Sequence, residues 1–175
     1  MSIVTTTSKQ STYEQRKLRR PNLFDIGVPF AAAICEAETE LVASIFCDPV
    51  RSVPIVRDLG IRISFFKEED LRILAAASFV AADRQLTKDR LLRLASRLLK
   101  SDGWWDDNAP VAPPFSCRWS AGNLQILANT EFFCRPVLHR NARNLIDLLT
   151  RKAEVRAHLN RAGELMEGPW PRLAV

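Results

Sequence analysis

Cysteine and histidine are the residue types in this sequence that could hold a metal ion or share a proton in nucleophilic catalysis. The cysteines are Cys35, Cys47, Cys117 and Cys134. No two of them form a Cys-x-x-Cys pair, and the two histidines, His139 and His158, complete no zinc-binding knuckle. Because zinc sites need ligands at short, regular spacings, this arrangement argues against a metal centre. Cys35 and Cys47 fall in apolar helical segments, where we expect them to act as small buried hydrophobic residues.

Phosphate-binding and catalytic motifs are incomplete. Gly163 and Gly168 have the separation found in a phosphate-binding loop, but Pro169 occupies the position of the required lysine, and a predicted helix precedes them. Asp106 and Asp107 are adjacent in a proline-rich stretch, where neighbouring side chains rarely point the same way. Neither a Gly-x-Ser-x-Gly elbow nor a His-Glu-x-x-His pair occurs. The sequence therefore predicts a protein that is not an enzyme and needs no cofactor.

Positive charge is concentrated in two segments of a chain whose net charge is +5. The first is a Thr/Ser-rich start that ends in Arg16, Lys17, Arg19 and Arg20 and has little to bury, so residues 1–27 are predicted to form a flexible arm and lead-in. One interpretation is that the arm contacts nucleic acid or an acidic partner. The other is that it is a solvated tail, since short basic runs are common at termini.

The second basic segment is a long predicted helix over residues 137–162. Its apolar positions recur at helical spacing, as Leu138, Ala142, Leu145, Leu149, Val155 and Leu159. Arg143, Arg151 and Arg156 cover part of the remainder and could enter a nucleic-acid groove. The alternative is a surface helix whose arginines are solvated or paired with acidic residues of the same helix.

Other helices are predicted at 31–47, 69–82, 87–100 and 120–129, with a further helical turn or two at 53–59. Asp48-Pro49 should end the first helix. Gly60 should cap the C-terminal end of the helical turn at 53–59, and Thr87 is expected to be the N-cap of the helix at 87–100. Residues 61–65 alternate apolar and polar side chains like a short strand, but a strand there would lack a partner, so we favour a buried connector. The predicted fold is all-α, with a globular core at 28–135 and a long C-terminal helix with a short tail at 136–175.

Aromatic side chains are concentrated in the proline-rich loop at 104–119. They are Trp104, Trp105, Phe115 and Trp119. Exposed aromatic residues in a loop often form a protein-binding patch. The alternative is a flap that folds back over the core, because apolar area is costly to leave in water.

No apolar run is long enough to span a membrane, and the N-terminal residues lack the pattern of a secretory signal, so we expect a cytoplasmic protein without a membrane partner.

The first helix carries the start of a family resemblance. Glu36-Ala37-Glu38, an apolar run and Asp48-Pro49 resemble the opening of the N-terminal domain of bacterial DnaB-type replicative helicases. The resemblance continues in order through Phe65-Phe66, the helices at 69–82 and 87–100, Ala128-Asn129-Thr130 and the long helix. The family's ATPase domain, with its phosphate loop, has no counterpart in these 175 residues. ATP-driven unwinding is therefore not carried over.

The resemblance implies an all-helical globule that ends in a long helix or helical hairpin. It also implies a stand-alone interaction module of the replication machinery that docks on a replicative helicase, primase or loader, or pairs with a second copy. On this interpretation the interface would use Leu138, Leu145 and Leu149 of the long helix, with Trp104, Trp105 and Phe115 as a possible loop patch. The alternative is a small basic DNA-binding protein that uses the arm and the arginines of the long helix. A third interpretation is a purely structural role.

Overall fold

The structure is a computed structural model that describes residues 27–111, 118–129 and 133–167. Within these ranges it contains six α-helices and no strand, which confirms the all-α prediction. The helices are α1 (Gly27–Cys47), α2 (Pro49–Asp58), α3 (Glu69–Asp83), α4 (Lys88–Ser101), α5 (Ala121–Asn129) and α6 (Arg135–Glu167). None of these helices combines the length and the hydrophobicity that crossing a bilayer requires. The basic arm with Arg16, Lys17, Arg19 and Arg20 lies outside the described residues.

Asp48-Pro49 both ends α1 and begins α2. The Asp48 carboxylate accepts a hydrogen bond of 3.2 Å from the backbone N–H of Arg51, and Pro49 occupies the first helical position, where its missing N–H costs nothing. The second helix therefore begins four residues before the predicted Val53. Pro54 lies inside α2 on its exposed side.

Helices α2, α3 and α4 end in the same backbone motif. After α2, the N–H of Gly60 bonds the carbonyl of Arg57 at 2.9 Å, and the N–H of Ile61 bonds that of Val56 at 2.9 Å. This pair of bonds is a Schellman motif, which needs a left-handed residue, and Gly60 has φ +81° as predicted for a cap. Gly103, with φ +78°, does the same after α4. Gln85, with φ 47°, takes this position after α3 although it is not glycine.

The core is built around α1. Its residues Leu41, Val42, Ile45 and Phe46 are fully buried. Helix α1 packs against α6 most extensively and also against α2, α3 and α5, while α3 packs against α2 and α4. An α1 surrounded in this way needs apolar residues on several sides, which the run 41–46 supplies.

The segment between α2 and α3 is a connector, as favoured over a strand. It contains a single 3-10 turn, Ile63–Phe65, and buries Ile61 and Phe66 on either side of that turn. Thr87 does occupy the N-cap position of α4, but its side chain makes no capping hydrogen bond.

Helix α6 is one uninterrupted helix to Glu167, so within the described residues the chain ends in a long helix and not in a hairpin. It begins two residues before the predicted start and continues through Gly163, past the predicted end at 162. A buried polar contact fixes it on α1, because Asn141 Nδ2 donates to Ser44 Oγ at 3.0 Å and to the carbonyl of Glu40 at 3.4 Å.

Candidate protein-interaction surface

No cluster of metal-binding side chains occurs in the part of the chain that the structure describes. Cys35 is half-buried, and burial together with the carboxylates of Glu68, Glu38 and Asp70 raises the pKa of its thiol. Because the thiolate is the nucleophilic form of cysteine, this environment disfavours the reactive form of Cys35.

Glu38 is a buried carboxylate with a structural task. It accepts hydrogen bonds from the backbone N–H groups of Lys67, at 2.7 Å, and Glu68, at 3.0 Å. These residues immediately precede α3, so α1 supplies an acceptor to the start of another helix. Burial raises the pKa of Glu38, and the two backbone hydrogen bonds act in the opposite direction. A carboxylate that accepts from two fixed amides is poorly placed to act on a ligand.

The described part of the aromatic loop folds back on the core. Trp119 is almost fully buried, and its indole N–H donates to the Asp70 carboxylate at 2.7 Å. Its backbone N–H bonds the carbonyl of Trp104 at 2.8 Å, and its carbonyl accepts from Asp106 at 2.9 Å, which forms an isolated parallel bridge. These contacts favour the flap interpretation over the binding patch for both ends of the loop.

Trp104 and Trp105 are half-buried and pack against the core. The indole N–H of Trp105 donates to Asp107 at 2.6 Å, and Lys100 Nζ lies 4.8 Å from the centre of its ring. Both tryptophans therefore already have intramolecular contacts. Phe115, the third predicted loop residue of the interface, lies outside the described residues.

Two leucines assigned to an interface on the long helix belong to the core instead. Leu138 and Leu145 are 1% and 0% exposed and pack within the cluster that surrounds α1. This corrects the prediction that they form an exposed surface, since the stripe that they define is covered by the chain itself. Leu149, one turn further on, is only half-buried.

A groove lies between Ile146–Arg156 of α6 and the connector that contains the 3-10 turn between α2 and α3. Its volume is about 730 Å³. The residues that line it are Phe65, Lys67, Ile146, Leu149, Thr150, Lys152, Ala153 and Arg156. We call this feature the α6 groove. Its apolar members form the floor, and Lys67, Lys152 and Arg156 supply its charge.

From residue 150 onward, the side chains of α6 that the structure describes have little covering them. Among residues 150–158, 160 and 161, Val155 is half-buried and all the others are exposed. At 1.5 Å per residue, the 18 residues from 150 to 167 extend for about 27 Å. A helical segment whose described side chains are so exposed depends on helix propensity or on a partner for its stability.

The inward stripe of α6 changes character along the helix. Leu138, Ala142, Leu145 and Leu149 are spaced alternately four and three residues apart, and the same spacing continues at Lys152 and Arg156. This face is apolar where α1 covers it and becomes cationic where the helix leaves the core.

The arginines predicted to contact nucleic acid are not brought together. Arg143, Arg151 and Arg156 are all exposed. At about 100° per residue, Arg156 lies about 140° around the helix axis from both Arg143 and Arg151. Arg156 lines the α6 groove, whereas Arg143 lines a separate polar recess of about 560 Å³ together with acidic residues. No single face of α6 therefore presents all three to a phosphate backbone.

Several groove residues were missed at the level of sequence. Phe65 and Lys67 come from a connector about seventy residues before α6, so no local pattern links them to it. The heptad spacing that continues from Leu149 to Lys152 and Arg156 could have identified these two residues as part of the same face of α6.

Comparison with known proteins adds no relative: no protein-family model, curated protein or solved structure matches this chain.

Proposed function

We propose that this chain is a non-catalytic protein-interaction module that binds a partner through the α6 groove. The observation that carries the proposal is the position of the groove, where the apolar stripe of α6 emerges from the core beside Phe65. Ile146, Leu149 and Phe65 are each half-buried, so they retain apolar area that a partner could cover.

A helix laid into a groove is a common way to recognise such a surface, because a few apolar anchors fill it while polar residues form the rim. The free half of α6 would extend the contact beyond the groove. The Asn141–Ser44 hydrogen bond holds the N-terminal half of α6 on α1.

We further propose that the partner belongs to the DNA replication machinery. This part rests on the resemblance of residues 36–49 and of the helix order to the helicase collar domain. A replicative helicase, a primase or a loader is therefore the first partner to test.

The test is affinity capture from the native cell with three baits: the wild type, Ala153→Tyr and Glu154→Tyr. Ala153 is exposed and lines the groove, so a tyrosine there should fill it without disturbing the core. Glu154 is exposed outside the groove lining and serves as the matched control. We expect helicase, primase or loader to be enriched by the wild type and Glu154→Tyr and lost with Ala153→Tyr.

Capture of the same proteins by all three baits would overturn the groove as the binding site. Reproducible, groove-dependent capture of proteins unrelated to replication would overturn the assignment to the replication machinery alone.

A further inference from the structure

We propose that the α6 groove selects an acidic amphipathic segment, in which apolar residues are flanked by Asp or Glu. This inference rests on the proposed function of the groove and specifies the chemistry of the partner. None of the eight residues that line the groove is acidic, and three carry positive charge. An apolar floor with a cationic rim is complementary to apolar anchors bordered by carboxylates.

The three cations of the groove form no ion pair with any side chain that the structure describes. No carboxylate of the described residues lies within ion-pair distance of Lys67, Lys152 or Arg156. Lys67 Nζ donates to the carbonyl of Ser64 at 3.3 Å and retains further N–H donors. The Glu38 carboxylate interacts with Lys67 electrostatically, but its oxygens accept from the two backbone amides before α3.

The floor argues against double-stranded DNA as the occupant. A phosphate backbone gains from cations but has nothing to place against Phe65, Ile146 and Leu149. The three arginines of α6 that could follow a duplex are also spread around the helix. The combination of apolar floor and cationic rim therefore favours an acidic peptide segment over DNA.

The charge pattern also argues against a second copy that pairs through the same face of α6. The exposed part of this α6 face carries Lys152 and Arg156. Two copies that paired these faces in parallel register would bring like charges together in a partly desolvated contact. Residues 1–26 likewise carry more Lys and Arg than Asp and Glu, so their charge does not complement the rim. An acidic segment of another protein meets neither obstacle.

The experiment uses two labelled synthetic peptides and fluorescence anisotropy. Both peptides present Leu and Phe on one helical face, and the flanking residues are Glu in one peptide and Lys in the other. We expect the full-length protein to bind the Glu peptide at least about tenfold more tightly, a difference equivalent to about 1.4 kcal/mol. The preference should shrink as salt rises, because exposed charges are screened.

Variants locate the effect on the groove. Lys152→Glu combined with Arg156→Glu should weaken binding of the Glu peptide at least about tenfold. Arg151→Glu makes the same kind of charge change on an exposed residue of α6 outside the groove lining and should alter affinity less than about twofold. Circular dichroism of each variant should match the wild type, since all three positions are exposed.

Three outcomes would overturn the acidic partner. They are equal affinity for the two peptides, loss of affinity in Arg151→Glu as large as in the double variant, and a dimer in light scattering that Ala153→Tyr dissociates. A fourth such outcome is a short DNA duplex that displaces the Glu peptide from the wild type but not from Arg151→Glu, because it would show that DNA binds through a cation outside the groove lining. If any of these results appears while Ala153→Tyr still abolishes capture of a cellular partner, the interaction function stands and only the partner chemistry fails.

Discussion

The carboxylate of Glu38 in α1 accepts a hydrogen bond of 3.0 Å from the backbone N–H of Glu68, the residue that precedes the first turn of α3. A second bond of 2.7 Å comes from the N–H of Lys67. Helix starts leave N–H groups without intrahelical partners, and such groups are usually satisfied by a nearby side chain. Here the acceptor comes from a different helix, thirty residues earlier. Glu38 thereby couples the position of α1 to the start of α3 and to the 3-10 turn that forms one wall of the α6 groove.

Replacing Glu38 should destabilise the fold strongly. Glu38→Ala removes the acceptor of two part-buried backbone hydrogen bonds, and we expect the free energy of unfolding to fall by about 2 kcal/mol. Glu38→Gln keeps one acceptor oxygen and the shape of the side chain, so a loss of about 1 kcal/mol is expected. Urea denaturation followed by circular dichroism measures both values.

Glu36→Ala provides the control for these variants. Glu36 lies in α1 two residues earlier and is exposed, so its removal should change the free energy of unfolding by less than about 0.5 kcal/mol. Equal losses for Glu36→Ala and Glu38→Ala would contradict a capping role for Glu38.

The pH dependence of stability should carry the signature of Glu38. Burial raises its pKa in the folded state above the ordinary value of 4.5, so the folded chain binds the proton more tightly than the unfolded chain. Stability contributed by this group is therefore present below pH 4.5 and is lost as pH rises through the folded-state pKa. Relative to Glu38→Gln, the wild type should gain stability as pH falls towards 4.5. Unfolding of both proteins at matched pH values cancels the other groups, and a relative loss of wild-type stability on acidification would reverse the assigned sign.

The positions of the helices could be predicted from the sequence, because helix ends and helix faces are set by residues that are close together in the chain. Asp48-Pro49, Gly60 and Gly103 fix helix ends through backbone geometry, and apolar spacing marks the faces. The Glu38 bonds and the contact of Trp119 with Asp70 join residues 29 to 49 positions apart, and no pattern in one sequence links such residues. The start of α2 at Pro49 differs from the prediction because the Asp-Pro cap, and not the apolar periodicity, sets that helix end.

Trp119 should be the most costly aromatic residue of the loop to alter. Trp119→Phe removes the N–H that donates to the Asp70 carboxylate and leaves space in a buried site, for a loss of about 3 kcal/mol. Trp105→Phe is the matched control, because Trp105 is half-buried and bonds the exposed Asp107, and its loss should be about 1 kcal/mol or less. Thermal or urea unfolding compares the two variants. A larger loss for Trp105→Phe would argue against the flap.

The leucines of α6 should separate stability from binding. Leu145→Ala opens a cavity in the core and should cost about 3 kcal/mol in the free energy of unfolding, while the folded protein keeps its affinity for the Glu peptide. Leu149→Ala removes a half-buried side chain from the groove floor, so it should cost only about 1 kcal/mol but weaken the peptide complex. Urea denaturation and anisotropy on the same samples give both quantities.

The predicted interface residues and the observed burial of α6 differ for a physical reason. Periodicity identifies the apolar stripe of α6, but it does not show how far the helices that pack against α6, α1 and α2, cover that stripe. The sequence pattern therefore assigned Leu138, Leu145 and Leu149 to one surface, whereas the fold covers the first two and leaves the third at the edge of the groove. In the sequence, the change of the stripe from apolar residues to Lys152 and Arg156 marks the point where α6 leaves the core.

At the left-handed residues that follow α2 and α3, two substitutions should change the free energy of unfolding in opposite directions. Gln85 holds φ 47° after α3, a conformation that costs a residue with a side chain about 1 kcal/mol, so Gln85→Gly should stabilise the fold by up to about that amount. Gly60 has φ +81° with open space where a methyl group would lie, so Gly60→Ala should cost about 1 kcal/mol through backbone strain alone. Urea denaturation measures both changes, and Gly60→Asn, which tolerates the left-handed region, should cost less than Gly60→Ala. Loss of stability in Gln85→Gly equal to that in Gly60→Ala would show that chain entropy outweighs the strain at Gln85.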